Sequence, residues 1–439
     1  MARKKHTRRE FLAATTATAV GVGLGIPATA IGRGQKQSGA NDKVVFGLIG
    51  CGGMGMANVR RFMEQPDTDV AAVCDVDSAR MPGDIKTIEE KYGRKPDVYS
   101  DYRKMLERKD IDAIIIGTPD HWHALNLVHA CEAGKDIYCE KPISHNITEA
   151  KAMVAAQKRF GRIVQVGTWQ RSDKEFTDAI AYVRSGKLGK VTHCRAWIAD
   201  GTKIGNKKPT TPPITMDYDF WCGPANMPPY QENITHWNWR WMLNTGGGLT
   251  TDWGVHMMDI ALLGMSKGQD LVMPTEVTAY GGKWAFVDDD RDAPDTIEAV
   301  YKFDNPQFLM TWSVLRDHPG KPGHCTEFVS EGGKTVRVWR GGWTILDPDG
   351  KEIPKVGVDP VPTNHWRNFL DCVKSRQEPR ATLSSIAQTT MVCHLSNAAL
   401  FSGATVRWSK SMMDIVGSAG RDTMAYDREY RAPWILPRY

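Results

Sequence analysis

Asp252, His256 and Asp259 fall at i, i+4 and i+7 in "GGGLTTDWGVHMMDIALLG", where three glycines interrupt the chain just before a helix pattern. That spacing places three ionisable side chains on one helix face. Three readings stand: polar residues that cap or pair inside a domain, ligands for a divalent cation, or an acid–base set. No further ligand set precedes them, so no metal is expected. As an acid–base set they suit proton removal from a hydroxyl, because an imidazole with an ordinary pKa of about 6.5 accepts a proton at neutral pH. Asp252, one turn back, can orient that ring or bond the same substrate. Lys141, in "YCEKP", can hydrogen-bond a reacting oxygen and stabilise developing alkoxide charge; the plainer reading is a solvated loop lysine.

These residues need a scaffold, and the N-terminal half supplies one. In "VVFGLIGCGGMGMANV" a strand-like run meets a helix pattern at Gly50, Gly52 and Gly55, with Gly53 and Met54 inside the turn. Glycines so spaced permit a tight turn, a close pyrophosphate and a helix packed on a strand, with free N–H groups facing the phosphates. A second strand, "DVAAVCDVD", reaches Asp75, about where a carboxylate can accept both ribose hydroxyls. Such a carboxylate repels a 2′-phosphate, which favours NAD over NADP, although Asp77 and Arg80 stand close by. Strand-like "DAIIIGTP" and "DIYCEKP" flank the helix pattern "DHWHALNLVHACEAGK". The alternation predicts a doubly wound parallel sheet with Thr118, Pro119, Glu140 and Lys141 at carboxyl ends of strands.

With its glycine turn, acid after the second strand, "TPDHWH", "EKP" and "GGGLTTDWGVHMMD", the chain resembles the glucose–fructose oxidoreductase / inositol dehydrogenase / MocA family over nearly its whole length. The resemblance implies a Rossmann domain over 43–168 and a C-terminal α/β domain over 169–409 with a large, open, mostly antiparallel sheet. It implies Lys141, Asp252 and His256 as the catalytic group, with His123 and Glu140 nearer the cofactor. Asp120 stands where many members carry Asn. It also implies a homo-oligomer, dimer or tetramer, formed through the open sheet face.

The later segments fit that domain. "GKVTHCRAWIA", "PTEVTAYGGKWAF", "DTIEAVYKF", "FLMTWSVLR" and "TEFVSEGGKTVRVWR" read as strands; "HWRNFLDCVKSR" and "SSIAQTTMVCHLSNAALFSG" read as helices, whose His394 and Asn397 are expected to be structural. The tail, 410–439, is expected to pack on a domain or subunit surface. Fifteen tryptophans are many for 439 residues. Most fit a core or an interface, while Trp169, Trp237 and Trp239 are candidates to face sugar C–H groups. His236 and Arg240 beside them can meet hydroxyls or a carboxylate.

The chain opens with Arg3, Lys4, Lys5, Arg8 and Arg9, an apolar run from Phe11 to Ile26, and the small-x-small site Ala28-Thr29-Ala30. Those parts make a secretory signal over 1–30, followed by a linker over 31–42, and Arg8-Arg9 matches the twin-arginine type. Export through the twin-arginine machinery to the periplasm or another extracytoplasmic space is therefore expected, with the cofactor loaded beforehand. Without residues 1–30 the chain keeps 51 Lys+Arg against 50 Asp+Glu, a near-neutral balance that argues against a nucleic-acid partner. Nine dispersed cysteines with no C-x-x-C pair fit buried thiols. Outside the cytoplasm no NAD pool can be relied on, so the expected function is an oxidoreductase on a sugar or polyol hydroxyl that keeps its cofactor. Two alternatives are a redox-neutral, NAD-dependent glycoside hydrolase and a catalytically silent sugar-binding protein.

Overall fold

Short, wholly apolar strands need helices on both faces, and the N-terminal half supplies them in alternation. The computed structural model describes residues 43–316, 321–355 and 364–439. The expected signal and linker, 1–42, lie outside the described residues. From there the chain runs β1 (Val44–Ile49), α1 (Gly53–Met63), β2 (Thr68–Cys74), α2 (Pro82–Tyr92), β3 (Asp97–Tyr99), α3 (Tyr102–Leu106), β4 (Ala113–Ile116), α4 (Asp120–Glu132), β5 (Asp136–Cys139), α5 (Ile147–Phe160) and β6 (Val164–Val166). The strands form one parallel sheet in the order β3-β2-β1-β4-β5-β6. Strand order reverses between β1 and β4, and a crevice opens there at the strand carboxyl ends. Helix ends follow local chemistry: the Asn146 side chain accepts from Glu149 N at 2.8 Å to start α5, and Gly161 ends it in the left-handed region.

The second half runs α6 (Lys174–Arg184), β7 (Val191–Ala199), α7 (Tyr218–Cys222), α8 (Gly248–Asp252), α9 (Gly254–Met265), β8 (Glu276–Gly282), β9 (Thr296–Asp304), β10 (Gln307–Leu315), β11 (His324–Ser330), β12 (Thr335–Trp339), β13 (Gly342–Leu346), β14 (Glu352–Ile353), α10 (His365–Ser375), α11 (Leu383–Ser402), β15 (Val406–Ser409) and β16 (Asp414–Val416). Its ten strands are ordered β14-β13-β12-β11-β7-β10-β9-β8-β15-β16, antiparallel except for the parallel β7–β10 pair. Alternation along β9 buries Ile297, Ala299, Tyr301 and Phe303 and turns Glu298, Val300, Lys302 and Asp304 outward. The buried face packs with α9 and α11 residues such as Ile260 and Val392 in one apolar cluster.

Two elements sit elsewhere than the sequence reading places them. Helix α10, assigned to the C-terminal domain, packs its Phe369, Leu370 and Cys372 with Phe46, Phe62 and Tyr138 of the parallel sheet layer. An amphipathic pattern tells which face is buried, not which sheet buries it. The segment 410–439 is not wholly a tail, because β16 is the edge strand of the large sheet. Beyond it the chain crosses to α4 and α5, with Trp434 4.8 Å from Trp122 between ring centroids and Tyr430 Oη donating to Glu149 at 2.9 Å. All nine cysteines are buried and unpaired. Among the described residues no helix is long and apolar enough to cross a membrane, and no three His, Cys, Asp or Glu side chains gather as for a metal.

Candidate active site

The crevice at the strand carboxyl ends is a cleft open to solvent. Gly50, Gly52, Gly53, Met54, Asp75, Thr118, Pro119, Glu140 and Lys141 line it. Gly50 has φ +88°, and a Cβ there would stand 2.7 Å from the Gly117 and Thr118 backbone, so only glycine makes this turn. Gly55 lies behind the turn: its added Cβ would come within 2.1 Å of Gly50 O. It therefore serves helix–strand packing and does not reach the cleft. At Gly52 and Gly53 an added Cβ would meet nothing closer than 3.6 Å, and no side chain caps the start of α1. An open cradle under uncapped helix amides fits a pyrophosphate.

Asp75 accepts from Cys51 N at 2.7 Å and Asp77 N at 2.9 Å. Burial pushes its carboxyl pKa up against those bonds. Unpaired by any cation within ion-pair distance among the described residues, it is suited to accept from ribose hydroxyls. Arg80 lines the same end of the cleft.

His123 departs from its expected place. It is buried behind the cleft, with Nδ1 2.7 Å from Pro142 O and Nε2 2.8 Å from Thr118 O. Burial lowers its pKa to about 4 although both carbonyls favour the charged ring, and a neutral imidazole can donate to only one of them; it packs between two cleft loops and does not line the cleft. Glu140 accepts from Asn58 Nδ2 at 2.7 Å, and a Cβ on Gly167 would meet its Oε1 at 2.5 Å. Asn58, which also takes Trp366 Nε1 at 3.0 Å, was not picked out from the sequence, although a lone Asn on the apolar face of "MANVRRFM" is the signal.

Lys141 donates to Asp252 Oδ1 at 2.7 Å and to Asp252 O at 3.0 Å. That second bond requires a free carbonyl, and the helix supplies it by breaking at Trp253. His256 N, which would normally bond Asp252 O, bonds Trp253 O at 3.0 Å instead. The break corrects the single helix face read from the sequence. Asp259 turns away into a buried pair with Arg171, at 2.7 and 2.6 Å, and accepts from Thr389 Oγ1 at 2.7 Å. Asp252 does not hydrogen-bond His256. It faces Lys141 and, at 3.4 Å, Arg240 Nε. Burial would raise the Asp252 pKa, but these two cations outweigh burial and hold it below the carboxylate range. Neither ring nitrogen of His256 has a hydrogen-bond partner among the described residues, and Nδ1 is fully buried. Burial, then the charges of Lys141 and Arg340, hold the imidazole well below its usual pKa.

The expected sugar-facing group divides in two. His236, at φ +59°, lies 3.0 Å from Asp77 Oδ2, at the ribose end. Trp237 is 60% exposed, Trp239 is buried with Tyr218 and Trp221, and Arg240 stands over both rings at 4.4 and 4.2 Å. All four line the dinucleotide cleft, because the long β7–α8 connection folds back over it. Sequence spacing within a loop carries no record of that fold-back. Trp169 stands apart from them beside His256, 6.4 Å between ring centroids, with Arg340 above it. Arg340, at the tip of the β12–β13 hairpin, had no motif to mark it.

Residues 44–168 match a family model described as oxidoreductase family, NAD-binding Rossmann fold, and residues 188–436 match oxidoreductase family, C-terminal alpha/beta domain. An uncharacterized oxidoreductase of Bacillus subtilis (strain 168) is 28% identical over 60% of this chain and 70% of its own length. An inositol 2-dehydrogenase of Salmonella typhimurium is 30% identical over 33% of this chain, and the match spans 42% of that protein. A glycosyl hydrolase family 109 protein of Shewanella baltica is 30% identical over 35% of each chain. Among solved structures, an aldose-aldose oxidoreductase from Caulobacter crescentus superposes with TM-score 0.63 at 20% identity, covering 83% of this chain and 100% of that one. A levoglucosan dehydrogenase in complex with NADH and levoglucosan superposes at 0.62 and 17% identity, covering 83% and 99%.

Proposed function

We propose, since the chain belongs to the glucose–fructose oxidoreductase / inositol dehydrogenase / MocA family of NAD-binding oxidoreductases, that it oxidises a secondary hydroxyl of a sugar, polyol or related carbohydrate. A bound NAD supplies the hydride acceptor. Of the three N–H groups of Lys141, two go to Asp252, so the third is left to hold the substrate oxygen as charge develops on it. Asp252 fixes that ammonium in place, and Arg240 shares its charge. His256, held neutral, takes the hydroxyl proton. The observation that carries this reading is the Lys141–Asp252 bridge, which joins the end of β5 to the helix break one turn before His256. Lys141→Ala tests it: turnover should fall by about 10²–10⁴-fold with nucleotide content unchanged, and full turnover would remove Lys141 from the mechanism.

NAD is favoured over NADP by the Asp75 carboxylate at the ribose end, which no cation pairs among the described residues. Retention between turnovers is supported by the segment that crosses that end: Ser78 N donates to Thr215 O and Asp217 N to Val76 O, each at 2.9 Å. We also propose export of the loaded protein by the twin-arginine machinery to a periplasmic or other extracytoplasmic space, a reading supported by Arg8-Arg9 and the apolar run after them. Denaturing the mature exported protein and identifying the released nucleotide tests both points; an empty cleft would refute loading before export. The likeness to a glycosyl hydrolase family 109 protein supports a second reading, redox-neutral glycoside cleavage. Aryl-glycoside release with no net change in nicotinamide absorbance would select it. We also propose a homo-oligomer formed through the outer face of the large sheet.

A further inference from the structure

Arg340 occupies the two-residue turn between Trp339 and Gly342, which pair across the β12–β13 hairpin. The turn is pinned from both sides: Arg340 N donates to His324 Nε2 at 3.3 Å and Gly341 N to Glu175 Oε1 at 3.1 Å. Its guanidinium lies over the rings of Trp169 at 4.6 Å and Trp253 at 4.5 Å. Those same two rings flank His256, at 6.4 and 5.9 Å between centroids. The hairpin therefore delivers a cation beside the candidate base, across the two rings that flank it.

What this cation lacks is an anion. No carboxylate lies within ion-pair distance of it among the described residues, and its Nε is fully buried with no hydrogen-bond partner. Asp252 and Asp173 act on it only from a distance. Aromatic faces hold the flat side of a guanidinium and leave its N–H edge for an acceptor. A ligand carboxylate meeting the open part of that edge would supply the acceptors the guanidinium lacks. Burial also makes Arg340 give up its charge more readily than usual, as expected of a cation awaiting its counter-ion.

Resting on the oxidoreductase reading above, we propose that the substrate is a sugar acid, its carboxylate received by Arg340 while its reacting hydroxyl lies between Lys141 and His256. A carboxylate is preferred over a phosphate because only one guanidinium is free here and Asp173 and Asp252 nearby oppose a dianion. The planar fork of Arg matches a carboxylate with two parallel hydrogen bonds.

The test uses the full holoprotein with matched sets: an aldose, its uronate, its aldonate and its sugar phosphate. Turnover is read by bound-nicotinamide absorbance, and binding by calorimetry. The expected result is at least a tenfold higher kcat/KM, or tighter binding, for a carboxylate member. That acid-to-neutral ratio should fall at least tenfold in Arg340→Gln and recover in part in Arg340→Lys, which keeps charge without the fork. An unchanged ratio in Arg340→Gln, or equal use of the neutral sugar by the parent protein, overturns the sugar-acid assignment and leaves the oxidoreductase reading intact. Preference for the phosphate member overturns it in favour of a phosphosugar. Absence of turnover and binding across every set overturns both readings.

Discussion

An imidazole with two cationic neighbours and no hydrogen-bond partner stays neutral to lower pH than a free one. For oxidation, His256 must be neutral, so the acid limb of kcat/KM should lie below about 6.5, the ordinary imidazole value. Arg340→Gln removes one of the cations that depress the ring, so the limb should move back towards that value; a pH–rate profile of each form checks it. Asp120 is the second residue whose environment changes its meaning. It is buried at the start of α4 with Oδ1 unpartnered; burial, then the Asp252 charge, push its pKa well above the usual range. Burial favours its neutral form, and a protonated carboxyl offers one donor and one acceptor, as an Asn does. Because the folded pKa is raised, the group favours unfolding at any pH above its unfolded value. Asp120→Asn should keep turnover within a few-fold and raise Tm at neutral pH by roughly 2 °C, measured by calorimetry; a Tm several degrees lower would show an ionised Asp120. Lys141, Asp252 and His256 were singled out by residue type and resemblance, and the structure joins the first two; the helix break that frees Asp252 O was not legible, since nothing in "TTDWGVH" marks Trp253 as its site.

The helix α10 is held to the parallel sheet layer by charge as well as by Phe369. Arg367 meets Asp67 at 2.6 and 2.9 Å, Lys374 meets it at 2.5 Å, and Arg376 meets Asp136 at 2.5 Å. Burial alone would raise the Asp67 pKa, but the bonds from Arg367 and Lys374 bring it to about 2. A depressed carboxylate stabilises the fold above its unfolded pKa, and that contribution is lost as pH falls from about 4 to about 2. Asp67→Asn should cost about 1–2 kcal/mol at neutral pH and flatten the acid-induced loss of stability in that window, as denaturant titrations would record. The loop over the dinucleotide makes a separate prediction. Asp77 receives His236 at 3.0 Å and caps Ala79 N at 3.0 Å. Asp77→Ala should therefore speed nucleotide release by about 5–30-fold, from roughly 1–2 kcal/mol of lost bonding, followed by dialysis and nucleotide assay. The strands and helices themselves were readable because their periods are local. The loop that covers the cleft has no period, so the fold-back that sets Trp237, Trp239 and Arg240 along it was not legible.

Whole-molecule arrangement is where the sequence says least, because sheet order is decided by contacts far apart along the chain. Nothing in "GKVTHCRAWIA" and "FLMTWSVLR" states that they pair in parallel across more than a hundred residues, as β7 and β10 do. The consequence is a ten-stranded sheet with one face packed by helices and, among the described residues of β8, β9 and β10, the other exposed. On that face Tyr280 is 73% exposed, and Val300 and Leu309 are exposed beside it on β9 and β10. Charged and polar residues surround them: Glu298 opposite Tyr280, and Lys302 opposite both Leu309 and Glu276. A small apolar centre within a polar rim is the pattern of a protein interface, not of a core. If two copies meet there about a two-fold axis, the contact is self-complementary and uses this patch on both copies. Val300→Lys with Leu309→Lys should then shift the protein from oligomer to monomer in sedimentation velocity, with little change in Tm measured on dilute samples, because neither side chain supports the inner core. A parent protein that sediments as a monomer at all concentrations, or a double variant of unchanged size, would show that this face stays in water.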